Sequence, residues 1–303
     1  MKTYIYLLIT SVFLLFSCQS ESVKNSAAYL GQTPPGTTPE IFAPGIISLS
    51  EEYEFGSVFS KDAKAFFWGV ELGNRTEIRY SQLIEGQWTK ARTVVKDSVY
   101  GFNDPFLSPE EDRLFYISNY NPEEPDEPKD YDIWYSKKIG EEWSAPINAG
   151  PNINSERNEY YISFTSDGSM YFASNKMAEP NRLHDFDIYK APKKGNSFGE
   201  AQVLSDQVNH EGYEADVFVA PDESYLIFCS TRREGLGNGD LYISFKNDED
   251  QWTKAQNMGA PINTVEHELC PFVSADGRFL FYTSNQDIYW VDAKIIDQMR
   301  PKE

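Results

Sequence analysis

The sequence predicts an all-β chain: a five-bladed β-propeller of four-stranded antiparallel blades, closed by an N-terminal strand that completes the last blade. Three markers carry that expectation. An aromatic recurs at Trp88, Trp143, Phe198 and Trp252, separated by 55, 55 and 54 residues and each followed shortly by Ala or Pro. An acid opens an alternating strand at Glu77, Asp132, Asp187, Asp240 and Asp287, in phase with the aromatic. A tight turn precedes an aromatic strand at Ser60-Lys61-Asp62, Ser108-Pro109-Glu110, Thr165-Ser166-Asp167-Gly168, Ala220-Pro221-Asp222 and Ser274-Ala275-Asp276-Gly277. A fixed period of this length signals an array of supersecondary units, none of which buries both of its faces alone.

In chain order, residues 1–17 read as a lipoprotein signal peptide. Their apolar run from Tyr4 to Phe16 is shorter than the roughly 20 residues a membrane span needs. Leu15-Phe16-Ser17-Cys18 has the layout of a lipobox, which makes Cys18 the expected lipidation site and the lipid the protein's only hold on the membrane. An ordinary cleaved signal with a chance Cys is the competing reading. Residues 18–39, rich in Ser, Gln, Thr, Gly and Pro, predict a flexible tether. Residues 40–303 form the single propeller domain.

Each repeat runs strand, turn, strand, loop, acid-led strand, turn and Trp-led strand. Asp-Gly and Pro-Asp pairs make the hairpin turns, because Gly supplies positive φ and Pro fixes its own. Aromatics make up 15% of the chain, enough to furnish broad blade-to-blade contacts. After Asp287-Ile288-Tyr289-Trp290 no Trp-led strand follows, while Phe42-Ala43-Pro44 repeats the aromatic marker ahead of the first full repeat. The segment 40–49 is therefore expected to supply the missing outer strand. Its deletion should open the ring, and trimming Gln19 to Thr33 should not.

Net charge is −20, from 47 acids against 27 bases, which repels a phosphate backbone and excludes nucleic acid as a partner. Besides Cys18 only Cys229 and Cys270 are present, so no disulfide framework holds the fold. Both sit in apolar strand runs and read as small buried hydrophobes, with a bridge between them left open.

The run Gly259-Ala260-Pro261-Ile262-Asn263-Thr264, then Glu268 to Ser284 and Asp287-Ile288-Tyr289, resembles the WD40-like (PD40) propeller repeat, and Gly150 to Tyr189 repeats the pattern. That repeat is found in the propeller of the periplasmic protein TolB and in Gram-negative envelope lipoproteins. The resemblance covers residues 40 to about 293. It implies an outer-membrane lipoprotein on the periplasmic or cell-surface face, without specifying activity, because propellers host enzymes, scaffolds and binders alike.

Chemistry is expected where the innermost strands begin, at one mouth of the central channel. Glu54, Glu159, Glu214 and Glu268 each stand eight residues before a turn acid; repeat two has Phe102 there and Asp104 two residues on, and Asp216 adds a further acid. Converging carboxylates suit a Ca²⁺ or Mg²⁺ ion or a binding funnel. A residue present in nearly every repeat equally suits a structural bond to the neighbouring blade. Long loops on the same face, 119–130, 175–184 and 231–239, carry Arg232 and Arg233, and with Arg157 these are candidates to clamp an anion. His184, His210 and His267 lack ligand spacing.

No nucleophile elbow, phosphate loop or Cys/His pair occurs, and the Ser-x-Asp-Gly turns lack the Trp of a sialidase Asp-box. The expected function is a monomeric, non-catalytic platform for an envelope protein or glycan. The alternative is a glycan-active hydrolase built on channel-mouth carboxylates such as Asp104, Asp216 and Glu159.

Overall fold

The computed structural model describes residues 28–301. The signal peptide, Cys18 and the first part of the expected tether lie outside the described residues. Five antiparallel sheets follow one another around a central axis. Their inner, second and third strands are Tyr53–Phe59, Ala65–Glu71 and Thr76–Ile84 in blade 1, and Phe102–Leu107, Arg113–Ser118 and Asp132–Ile139 in blade 2. Glu159–Phe164, Met170–Ser174 and Asp187–Ala191 form blade 3, Glu214–Val219, Tyr225–Ser230 and Asp240–Phe245 blade 4, and Leu269–Val273, Phe279–Ser284 and Asp287–Asp292 blade 5.

The outer strands differ from the expected Trp-led strands. Trp88 and Trp143 pair only with the far end of the third strand, in two-residue hairpins. The outer strand proper comes a few residues later, at Arg92–Val95, Ile147–Asn148, Gln202–Val203 and Gln256–Asn257. The interruption falls at the small residue or Pro after the aromatic, and Pro146, for one, has no N–H to offer the ladder. The recurring aromatic is instead a wedge into the preceding blade: Trp143 meets Phe67, Phe198 meets Phe115 and Trp252 meets Tyr171, edge to face at 6.0, 6.2 and 6.3 Å between centroids.

The Ile-Asn pair of the repeat motif also acquires a role. Asn154, Asn209 and Asn263 each accept from and donate to one third-strand residue, Ile133, Ile188 and Leu241 respectively. The amide thus stands in for a strand residue where the backbone has left the sheet.

Closure occurs as the repeat arithmetic requires. Glu40–Ile41 pairs antiparallel with Trp290 and Tyr289, and the Phe42 N–H continues the ladder to Ile288 O at 2.7 Å. Phe42 is fully buried, with Phe59, Phe66, Phe281 and Trp290 around it at centroid distances of 5.1 to 5.8 Å. The tether boundary at residue 39 moves. Tyr29 and Leu30 are buried, Tyr29 edge-on to Phe59 and Phe279, and Gly36 O accepts from Asp292 N–H. An aromatic and a Leu within a polar stretch were enough to fasten residues 28–39 to the propeller. Past the last strand, a short helix, Lys294–Met299, buries Ile296.

Every inner strand carries a register break: between Phe55 and Ser57, Asn103 and Phe106, Tyr160 and Ile162, Ala215 and Phe218, and Leu269 and Phe272. Within each break one residue adopts positive φ: Gly56, Asp104, Tyr161, Asp216 and Cys270, all between 46° and 53°. Bulges re-aim side chains. These five bulges surround the axis.

At the opposite end of the inner strands the channel is closed by phenylalanine. Phe106 of blade 2 reaches Phe272 of blade 5 at 5.9 Å, a contact between non-adjacent blades, and Phe164 and Phe218 flank it. A basin of about 480 Å³ lies over this plug.

Candidate functional site

The four repeat glutamates are clamps. Each backbone N–H donates to the preceding blade, at Gln286 O, Tyr131 O, Phe186 O and Gly239 O for Glu54, Glu159, Glu214 and Glu268. Each carboxylate accepts from a connector amide just upstream: Leu49, Ser155, His210 and Thr264 at 3.0 to 3.1 Å. In blades 3 to 5 a second-strand serine, Ser174, Ser230 or Ser284, donates as well. All four are fully buried and face no cup. Of the two readings open to the sequence, the structural one holds for these four.

Arg232 is likewise part of the framework and not an exposed anion clamp. It is 8% exposed, donates to Val208 O at 2.6 Å, approaches Glu214 Oε1 at 3.4 Å and lies over the Tyr242 ring at 4.7 Å. The Glu214 carboxylate beneath draws it inward. Arg233 stays exposed on the same loop, and half-buried Arg157 sits on the connector before blade 3. Neither lines the channel-mouth cup.

That cup, about 330 Å³, is lined by Tyr53, Phe55, Tyr131, Tyr160 and Tyr213 on its walls, with Asp104, Asp216 and Cys270 among its polar residues. The rings form two groups: Tyr53 meets Phe55 at 5.7 Å, and Tyr131, Tyr160 and Tyr213 are linked to one another through the buried Phe186 behind the wall. Tyr131 meets Tyr160 at 5.9 Å, Tyr160 stacks on Phe186 at 4.7 Å, and Phe186 meets Tyr213 at 5.5 Å. The floor is made by the bulge residues. An added Cβ on Gly56 would stand 2.5 Å from Asp104 Oδ1, so the missing side chain in blade 1 makes room for that carboxylate. The Tyr161 hydroxyl donates across the axis to Pro271 O at 2.9 Å, Tyr213 donates to Asp216 Oδ2 at 3.3 Å, and the Cys270 thiol approaches Asp104 Oδ1 at 3.5 Å.

Burial governs the protonation of this floor. It pushes Asp104 up to about 7, and burial with the facing Asp104 pushes Asp216 up to about 8. Burial drives the Cys270 thiol well above its ordinary value, and lifts Tyr53 and Tyr160 to about 12. His267, on the rim, is lowered by burial and has Nε2 3.3 Å from Cys229 Sγ. Cys229 and Cys270 are both free thiols.

Asp104 and Asp216 are thus the two predicted acids that the structure brings together. Cys270, Tyr161 and Gly56 were missed, although a signal existed. All five bulge residues stand two positions after the repeat Glu or its Phe102 substitute. That column changes residue type from blade to blade while the Glu column does not.

Comparison with solved structures supports the architecture. TolB from Acinetobacter baumannii superposes with a TM-score of 0.53 at 14% identity, over 80% of this chain and 54% of that one. The fold is a TolB-like propeller. A protein from Agrobacterium tumefaciens described as a putative TolB gives 0.50 at 15% identity, over 78% and 71% of the two chains. A gluconolactonase from Xanthomonas campestris also gives 0.50, at 11% identity over 86% and 96%. The chain spans about half the length of the Acinetobacter protein, and at these identities the likeness concerns the fold alone. Neither a family model nor a curated protein matches the sequence. Within the TolB-like propeller the aromatic cup sits where inner strands begin, at a channel end whose far side is plugged.

Proposed function

We propose that this chain is a lipid-anchored envelope protein whose propeller is a non-catalytic binding platform, receiving a compact group of a glycan or protein partner in the channel-mouth cup. The observation that carries this reading is the cup itself: aromatic walls over two carboxyls, Asp104 and Asp216, that none of the inter-blade clamps holds. Aromatic faces offer large contact area at low conformational cost, and a few polar groups at the base fix orientation. The lipobox at Leu15 to Cys18 supports the anchoring.

A glycan-active hydrolase fits less well. A glycosidase sets its acid and its nucleophile or base on either side of a scissile bond, whereas Asp104 and Asp216 share one cluster with Cys270, each offering an oxygen within 4.8 Å of the others' ligand atoms.

The test is capture from an oligosaccharide array and from detergent-solubilised envelopes, comparing wild type with Tyr160→Ala and Asp104→Asn. A partner held by wild type, kept by Arg233→Ala and lost by both cup variants is expected. Identical capture by all four proteins would remove the cup from the mechanism. Arg232→Ala is unsuited to this test, because it strips a buried ion pair.

A further inference from the structure

Three donors of unlike chemistry meet on the cup floor. Oxygens of Asp104 and Asp216 and the sulfur of Cys270 lie within 4.8 Å of one another, each from a different blade and each aimed by its own bulge. Both aspartates are more than nine-tenths buried, at 7% and 5% exposure. Yet each has a single hydrogen-bond contact among the described residues, the Cys270 thiol at Asp104 Oδ1 and the Tyr213 hydroxyl at Asp216 Oδ2, which leaves its other oxygen without one. No Lys or Arg lines the cup, so no side-chain cation answers these carboxylates. Buried carboxylates are held by partners, by protons or by a metal.

The geometry points to a zinc-type divalent-cation site, with Asp104, Asp216 and Cys270 as its three protein ligands and a fourth position open to the cup. The sulfur decides the class of metal. Ca²⁺ takes six to eight oxygens and Mg²⁺ an octahedron of them, whereas Zn²⁺ accepts thiolate and carboxylate together in a tetrahedron. Bonds of ~2.0 to 2.3 Å in that geometry set an oxygen and a sulfur ligand ~3.5 Å apart. The Cys270 and Asp104 atoms already stand at 3.5 Å. The third ligand atom, from Asp216, lies within 4.8 Å of both. On binding, the thiol proton and any carboxyl proton leave to solvent. With a sulfur among its ligands, the proposed ion is softer than the Ca²⁺ or Mg²⁺ that suits carboxylates alone. His267 is left out of the ligand set, since its Nε2 engages Cys229.

The site needs no cup ligand, so its failure and that of the binding reading are separable. The full chain in mild detergent, stripped of metal with a chelator, is titrated with Co²⁺ alone and then Zn²⁺. One equivalent of Co²⁺ is expected to produce a thiolate-to-cobalt charge-transfer band with tetrahedral ligand-field absorption, both displaced by Zn²⁺. Cys270→Ser should abolish the charge-transfer band, and Asp104→Asn or Asp216→Asn should weaken binding roughly tenfold or more. The exposed-acid variant Asp248→Asn should leave the titration unchanged. Absence of a sulfur band in wild type, or unaltered binding in folded Asp104→Asn and Asp216→Asn, overturns the site. The wild-type spectrum decides even if a variant does not fold.

Discussion

Gly56 and Asp104 show how one missing atom shapes the floor. With φ at +46° and no space for Cβ beside Asp104 Oδ1, Gly56→Ala should lower stability by about 1 to 3 kcal/mol in denaturant titration and displace the carboxylate. Glu159 makes a second residue-scale prediction. Burial pushes it to about 7 from an ordinary 4.5. Its stabilising contribution is therefore complete below about pH 4.5 and lost as pH rises toward 7, because over that window the unfolded chain gives up its proton first. Glu159→Gln should flatten that part of the stability profile, read as urea midpoints at about pH 5 and about pH 8. A profile of unchanged slope would count against it. The sequence made Asp104 and Asp216 legible because they depart from the repeat, whereas Cys270 passed as a buried hydrophobe. A non-glycine residue in left-handed backbone is not marked by its residue type, so the bulges that aim Asp104, Tyr161, Asp216 and Cys270 could not be read from composition.

Strand order, turns and the closing segment were readable, because periodic aromatics and Asp-Gly or Pro-Asp turns are local chemistry. The interrupted outer strand was not, since a Trp that opens a strand and a Trp that wedges into the preceding blade have the same spacing. The Asn partners make this checkable. Asn263→Ala removes both bonds to the Leu241 backbone and should cost about 1 to 3 kcal/mol, measured by thermal or denaturant unfolding. Phe42→Ala should cost about 3 to 5 kcal/mol, given full burial among four rings. Val203→Ala, on an exposed outer-strand position, serves as the near-neutral comparison.

The two ends of the channel divide the molecule's work: one is a phenylalanine plug, the other an aromatic cup over an acidic floor. Truncation separates the parts of the closure. Removing residues through Thr33 takes away Tyr29 and Leu30 and should lower the unfolding midpoint, whereas removing 40–42 as well should lower it much further and expose blade 5 to protease. Equal midpoints for the two truncations would refute the closure role of Phe42. That pairing also sets a timetable. The strand that enters the ring first along the chain, Glu40–Ile41, finds its partner only when Asp287–Asp292 exists, so during synthesis the Phe42 ring waits unpaired while the first four blades are made. The last covalent segment of the propeller to be made is thus the one that ends its exposure to chaperones and proteases.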